Sequence, residues 1–362
     1  MKAPAPIEVP VGIPGRKCRV LVGPHLLART GELARDSGLG STCAVITDEN
    51  VGPLHGAAVR NSLEAAGIRT VLLTVPAGER SKCLATAEDV CDRMIEAGLD
   101  RGSFVVALGG GVVGDLAGFV AAIYQRGIPL VQIPTTIVAQ VDSSIGGKTG
   151  VNARAGKNLI GAFHQPRLVL ADTNTLATLP DREYREGFAE VIKHGAIRDA
   201  ALLEALDPAT PREHLAPLIA RNIAIKAAIV AADEHEQTGQ RALLNFGHTI
   251  AHAIENVAGY GRFLHGEAVS LGLAAALEIS QSKAGLSGPE AARVRAKLAA
   301  FGLPLTLAAD LSADDLLAAA RRDKKFTGGR VRYVVIPRLG EAFLAEDVTE
   351  DDLRAALQTL RV

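Results

Sequence analysis

Ser103–Tyr124 reads SFVVALGGGVVGDLAGFVAAIY, and its reading decides the fold. SFVVAL is a continuous apolar run, the pattern of a strand covered on both faces. DLAGFVAAIY has a helical pattern. Between them, Gly109-Gly110-Gly111-Val112-Val113-Gly114 satisfies G-x-G-x-x-G in a strand-to-helix context. Glycines there let the backbone approach a pyrophosphate, and the helix N-terminus turns free N–H groups toward the anion. A tight turn also needs glycine for steric reasons alone. The motif differs from a first-strand dinucleotide fingerprint, because it follows the fourth apolar run. No acidic residue ends a strand about 20 positions further on. Val105–Tyr124 is also the one stretch that could pass for a membrane span. It holds Asp115 and five glycines and is bounded by Arg101 and Arg126, so a strand, turn and helix explain it better.

Working outward, CRVLV (18–22), TCAVIT (42–47), RTVLLTV (69–75), PLVQIP (129–134) and RLVLAD (167–172) read as further buried strands. Amphipathic stretches such as Val51–Ala66 and Leu84–Ala97 lie between them and end near Gly67 and Gly98, as C-cap glycines do. Strands alternating with helices predict a doubly wound, Rossmann-like α/β sheet. After Asp172 the composition turns to Ala, Leu and Glu. Helical patterns cover about 183–197, 212–232, 242–258, 266–286, 289–301 and 350–360, with a hairpin at 331–345 around Gly340. The fold class is therefore α/β plus all-α: residues 1–176 form the sheet domain and 177–362 a mainly helical one.

Composition narrows the function. Lys and Arg number 39 and Asp and Glu 40, a net charge of −1, which argues against a general nucleic-acid binder. Trp is absent and aromatics are 4%, too few for stacking platforms. Cys18, Cys43, Cys83 and Cys91 form no C-x-x-C pair, which fits reduced thiols in a cytoplasmic protein. The N-terminal stretch has no apolar h-region of a secretory signal, and no membrane association is expected.

Several clusters could carry chemistry. Asp48 and Glu79 follow the ends of strands, where ligands bind in open α/β sheets. Ile133–Asn158, IPTTIVAQVDSSIGGKTGVNARAGKN, has no clear periodicity and reads as a long ordered loop. Its Thr135, Thr136, Asp142, Lys148, Lys157 and Asn158 suit an anion or a polyol. In LNFGHTIAHAIE, His248 and His252 are four residues apart on one helix face, His265 follows in LHGEAV, and Glu190 stands in FAEVIKHG beside Lys193. Two histidines and a carboxylate make a common catalytic zinc set. Spacing leaves open whether His252 or Glu190 completes it. Lys226 and Arg241 are flanked by apolar runs, where a charge is paired or faces a ligand. If 241–258 is one helix, Arg241 shares a face with Asn245 and His248 and lies about 10 Å from His248 along the axis.

Taken together, LGGGVVGDLAGFVAAIYQRG, QIPTTIVAQVDSSIGGKTGVN, GKNLIGAFHQP, TLATLPDREYREGFAEVIKHGAI, DEHEQTGQRALLNFGHTIAHAIE, LHGEAV and RRDKK resemble the 3-dehydroquinate synthases, members of the sugar phosphate cyclases. The resemblance runs from about Asp48 to Lys325. It implies an NAD-binding first domain, a metal- and substrate-binding second domain and an active site in the cleft between them. It implies Zn2+ or Co2+ on Glu190, His248 and His265. NAD would meet Asp48, Glu79, Lys82, Gly111, Val112, Val113, Gly114, Asp115, Thr135, Thr136, Lys148, Lys157, Thr175, Leu176, Ala177 and Thr178. Lys148, Lys193, Arg241, Asn245, His252 and Glu236 would serve catalysis, and Arg126, Asp142, Asn158, Lys226, Lys324 and Lys325 the substrate.

The implied reaction converts 3-deoxy-D-arabino-heptulosonate 7-phosphate to 3-dehydroquinate and phosphate in the shikimate pathway. It runs by transient oxidation, phosphate elimination, re-reduction and intramolecular aldol closure, with no net redox. A homodimer is implied as well. The chain departs from the family pattern at Ala251, where a glycine is usual, and by one additional residue between Glu236 and Arg241. The alternatives are another sugar phosphate cyclase, such as an amino-dehydroquinate synthase, and a metal-dependent polyol dehydrogenase.

Overall fold

The computed structural model describes residues 5–12, 17–154, 156–259, 261–321, 326–327 and 330–361. The strands in chain order are β1 (Ile7–Pro10), β2 (Arg19–Gly23), β3 (Thr42–Asp48), β4 (Arg69–Val75), β5 (Phe104–Gly109), β6 (Leu130–Pro134), β7 (Lys148–Ala153), β8 (Gly156–Phe163), β9 (Leu168–Asp172), β10 (Phe326–Thr327), β11 (Arg330–Arg338) and β12 (Glu341–Thr349). The helices are α1 (Thr30–Asp36), α2 (Ala57–Ala65), α3 (Leu84–Glu96), α4 (Gly111–Ile123), α5 (Asp181–Glu186), α6 (Phe188–Arg198), α7 (Ala200–Ala205), α8 (Ala216–Ala232), α9 (His248–Ala258), α10 (His265–Ala284), α11 (Gly288–Ala300), α12 (Ala313–Ala320) and α13 (Glu350–Thr359). No helix among the described residues is long and apolar enough to cross a membrane.

The chain divides into two compact units, 1–180 with 210–231, and 181–209 with 232–362. The sequence reading instead cut at 176/177 and ran the second domain unbroken. Residues 210–231 join the first unit for physical reasons. Arg212 donates from Nη1 to the carbonyls of Leu176 (2.8 Å) and Leu179 (2.6 Å), and Lys226 on α8 pairs with Asp142.

In the first unit the strands line up as β1-β2-β9-β6-β5-β3-β4. All are parallel except β1, which runs against β2. Five of the six apolar runs become strands buried on both faces, as periodicity predicts; the exception is β4 at the sheet edge, where Leu72 and Thr74 are exposed. Leu63 of α2 and Leu33 of α1 pack on one face with Val45 and Val106. Met94 of α3 and Leu116 and Val120 of α4 pack on the other with Ile46 and Ala107. From β3 the chain steps outward to β4, whereas from β5 it steps through β6 to β9. The strand order therefore reverses between β3 and β5, and that switch point opens a crevice at their carboxyl ends.

The segment expected to be a long loop is mostly regular. After a π-helical turn at Ala139–Ser143, β7 and β8 form an antiparallel hairpin. Gly150 and Gly161 pair across it, and a Cβ on Gly150 would lie 2.7 Å from the Ile160 carbonyl. Glycine pairs and polar residues in place of an apolar alternation hide such strands from a period-2 reading. α4 lies on β7 so closely that a Cβ on Gly118 would stand 2.5 Å from Cγ2 of Thr149.

In the second unit α6 is buried along nearly its whole length and packs among α7, α10 and α11. α9 crosses α10 at glycines, where a Cβ on Gly272 would lie 2.1 Å from the Gly247 carbonyl. The β11–β12 hairpin turns at Gly340, whose φ is +87° and whose N–H donates to the Ala196 carbonyl at 2.8 Å. Gly118→Ala is expected to destabilise the first unit by about 1–3 kcal/mol through overpacking. Denaturant unfolding checks this, and an unchanged midpoint would show that α4 yields to the added methyl group.

Candidate active site

Two groups of side chains stand out, one in each unit. In the first, the crevice at the switch point is edged by the glycine turn. α4 begins at Gly110 with no side-chain cap and no acidic residue in its first turn. Its leading N–H groups and dipole are thus left for an anion. A Cβ would meet Val113 at 2.7 Å from Gly109, Thr136 at 3.1 Å from Gly110 and the Ser143 hydroxyl at 3.3 Å from Gly111. Glycine lets the turn pack this closely against α4 and the 136–143 segment, with its backbone bare of side chains. The Thr135 hydroxyl is buried and finds no hydrogen-bond partner among the described residues. A cradle of glycines, an uncapped helix and an orphaned hydroxyl fit a dinucleotide.

The neighbouring loops bring most of the expected cofactor residues to the same ends of the strands. Asp48 accepts from the N–H groups of Asn50 (2.9 Å) and Val51 (2.8 Å), so its carboxylate also caps the turn into α2. Lys82 is buried and donates to Asp115 (2.5 Å) and to Asn158 Oδ1 (2.6 Å). Glu79 accepts from Asn152 at 2.8 Å, and the Asn158 N–H donates to Asn152 Oδ1 at 3.0 Å. These bonds fasten the β7–β8 hairpin to the β4–α3 loop and to α4. Burial pushes the Asp115 carboxyl up, against the pull of Lys82. Val112 and Val113 lie in the first turn of α4, while Lys148 opens β7 and Lys157 stands on β8.

Thr175–Thr178 form a 3-10 turn after β9, in which the Thr175 hydroxyl donates to the Asp172 carbonyl at 2.7 Å. Leu176 is buried and Ala177 exposed. Gln140, which the motif reading passed over, ties the strand ends together by donating to Pro134 O, Asp172 O and the Thr175 hydroxyl. Lys226 meets both the carboxylate and the carbonyl of Asp142 at 2.6 Å. Arg126 is exposed beyond the far end of α4, about 20 Å along the axis from the glycine turn. Within the unit it is not brought to that turn.

In the second unit α6, α9 and α10 converge on Glu190. Its side chain is 0% exposed, and neither oxygen accepts a well-formed hydrogen bond among the described residues. Lys193, one turn on, forms an ion pair with Oε2. Oε1 lies 3.4 Å from His248 Nε2 and 3.4 Å from His265 Nε2. Ligands about 2.1 Å from a tetrahedral zinc ion are separated by about 3.4 Å along each edge, so the spacing suits such an ion. Burial alone would raise the Glu190 carboxyl, but the charge of Lys193, foremost among the opposing causes, holds it well below its ordinary value. His248 is itself kept below its usual range by burial and by Lys193. Its Nδ1 sits 3.2 Å from the Phe246 carbonyl, which can only accept, so Nε2 carries the lone pair. The donor set fits Zn2+ or Co2+. His252 is exposed, its ring 5.4 Å from that of His248, beside the trio and outside it.

The frame around this trio lies within the quoted motifs, in residues to which the sequence gives no role. Glu186 accepts from the Gly266 N–H and so stitches α5 to the start of α10, next to His265. A Cβ on Gly266 would lie 1.9 Å from the Glu186 carbonyl, which makes glycine obligatory in LHGEAV. Asp233 gathers the loop before Arg241, accepting from the N–H groups of Gln237 (2.7 Å), Thr238 (3.2 Å) and Arg241 (3.1 Å). Glu236 in that loop has a φ of +57°, and Asn245 donates to it at 3.3 Å.

One expectation is corrected here. Residues 241–258 are not one helix: Arg241–Asn245 is a 3-10 turn, and Gly247 (φ +81°) breaks the chain before α9. The shared helical face of Arg241 and His248 therefore does not exist. Arg241 is buried and donates from Nη1 to the Glu234 carbonyl. Lys324 and Lys325 lie outside the described residues.

Residues 72–186 match the family model described as 3-dehydroquinate synthase N-terminal, and residues 187–326 the one described as its C-terminal part. The chain belongs to the 3-dehydroquinate synthase family. It is 48% identical over 361 residues to a 3-dehydroquinate synthase of Caulobacter vibrioides, covering 96% of this chain and 97% of the relative. It is 50% identical over 355 residues to that of Symbiobacterium thermophilum, covering 94% and 97%. Among solved structures it resembles ValA, the 2-epi-5-epi-valiolone synthase of Streptomyces hygroscopicus with NAD+ and Zn2+ bound. There the TM-score is 0.85 and the identity 31%, covering 94% of this chain and 96% of that one.

Two outcomes are expected from this geometry. His248→Ala removes one of three donors, so the purified variant should lose its bound zinc or cobalt while its circular dichroism is unchanged. Full metal occupancy would take His248 out of the ligand set. Asp233 is held down to about 2 from 3.8 by the N–H groups it accepts, against burial. The stabilisation is thus complete above the unfolded value and lost as pH falls toward the folded one. Asp233→Asn should cost about 1–3 kcal/mol at neutral pH, with the gap to the parent narrowing from about pH 5 down to about pH 2. A gap independent of pH in denaturant titrations would contradict this.

Proposed function

We propose that the chain is a carbon–oxygen lyase converting 3-deoxy-D-arabino-heptulosonate 7-phosphate to 3-dehydroquinate and phosphate, with NAD+ and Zn2+ or Co2+. The observation that carries this reading is the placement of both imidazole Nε2 atoms 3.4 Å from one buried oxygen of Glu190. It gains weight from the family membership of the whole chain. When bound, NAD+ supplies reversible hydride acceptance and the divalent cation supplies Lewis-acid polarisation of the hydroxyl to be oxidised.

The chain's own residues do the rest. Glu190, His248 and His265 hold the cation. The glycine turn and the first N–H groups of α4 take the pyrophosphate, with Asp48, Glu79, Lys82, Asp115 and the 135–136 and 175–178 turns around it. Lys148, Lys193, Lys226 and Arg241 neutralise the two anionic groups of the substrate, its carboxylate and its phosphate, as charge-assisted hydrogen bonds do. Lys226 arrives already oriented by Asp142. Asp142, Asn158, Asn245, Glu236, Lys324 and Lys325 complete the substrate set. His252, exposed beside the trio, has the imidazole chemistry to move a proton. A cytoplasmic location and a homodimer belong to the same proposal; four free cysteines agree with a reducing compartment.

The test is incubation of purified protein with the heptulosonate phosphate, divalent metal and NAD+ well below the substrate concentration. Phosphate and dehydroquinate should appear one for one, far beyond the NAD+ added, with no lasting rise in NADH absorbance. NADH accumulating in step with product would sink the lyase reading and favour a dehydrogenase.

A further inference from the structure

Of the two imidazoles in the trio, His265 is the one faced, among the described residues, by a charged side chain from outside the trio. Its Nε2 faces Glu190 Oε1 at 3.4 Å, and its Nδ1 faces Glu255 Oε1, also at 3.4 Å. A neutral imidazole has one N–H and one lone pair. Both nitrogens face a carboxylate, but a cation held by the trio would take the Nε2 lone pair, which leaves the N–H on Nδ1, toward Glu255. Glu255 is 7% exposed, and its side chain 8%, so the interaction is sheltered from water. The ring of His265 stands opposite the His248/His252 face of α9, with centroids 5.5 Å and 6.5 Å away. Glu255 continues that face, since it lies seven residues after His248 and three after His252. It is not among the residues whose donor atoms cluster for a metal ion.

We infer that Glu255 is a positioning residue, which fixes the tautomer and ring orientation of His265 so that Nε2 faces the metal. The inference rests on the metal-site reading above and assigns a residue outside the ligand set. His248 gets the same service from the Phe246 carbonyl, which no side-chain substitution can remove. Only at His265 can the orienting group be deleted on its own. Partners of this kind carry about 10–100-fold in metal affinity.

The experiment uses the full chain stripped of metal and titrated with Zn2+ against a chromophoric chelator, and the Co2+ form read by its visible d–d spectrum. The parent, Glu255→Gln and Glu255→Ala are compared, with circular dichroism as the check on folding. Glu255→Ala should bind Zn2+ about 10–100-fold more weakly, with an altered Co2+ spectrum. Glu255→Gln keeps an acceptor oxygen without the charge and should fall between the two. A parent that binds no metal would overturn the metal-site reading itself. A parent that binds, with a folded Glu255→Ala matching it in affinity and spectrum, would overturn this inference alone. If Glu255→Ala fails to fold, Glu255→Gln decides: parental affinity together with a parental spectrum counts against the proposal, and weakened binding supports it.

Discussion

A carboxylate sealed from water has to be compensated, and in the second unit that demand falls at Glu190. An isolated buried charge is costly enough that a protein either neutralises it or surrounds it with positive charge and donors. Here Lys193 supplies the charge from the same helix, and two imidazoles from α9 and α10 turn Nε2 toward the same oxygen, where a cation held by all three would complete the compensation. The helices that deliver them are in turn locked by close glycine contacts and by Glu186 at the start of α10. Much of the unit's packing thus serves to hold one lysine and two imidazoles around one buried anion.

The first unit answers the opposite need, an accumulation of unsatisfied N–H groups. Its sheet ends in turns whose glycines expose backbone, and α4 begins without a cap. The side chains nearby mostly hold loops in place. Asp48 caps a turn, Gln140 binds strand ends together, and Lys82 ties α4 to the hairpin. Such rigidity is what anion recognition by backbone requires, since an N–H cannot be moved by rotating a side chain.

Much of this was legible in the sequence, and the failures have physical causes. Strands buried on both faces announce themselves as unbroken apolar runs; all six expected strands are present, and five are buried so, while β4 has no neighbour on one side and keeps residues exposed. The β7–β8 hairpin escaped because its paired glycines and polar residues show no alternation. The break at Gly247 escaped because a single glycine inside a helical pattern is ordinarily tolerated; what forbids a continuous helix is its φ and its contact with α10. Glu255 was within reach, seven residues past His248 on a face already singled out, but carboxylates on helices are mostly solvated. That α8 packs with the sheet unit could not be read from chain order at all, since it depends on Arg212 and Lys226 finding distant partners.

The loop gathered by Asp233 bears on how such chains vary in length. One carboxylate accepts from Gln237 and Thr238 on one oxygen and from Arg241 on the other. A residue added between Glu236 and Arg241 falls inside that span. An insertion there lengthens the arc of the loop and leaves its chord alone, because the points that fix the chord are hydrogen bonds to a single side chain. Length is therefore a loose variable at this place in the molecule, and the aspartate is the strict one.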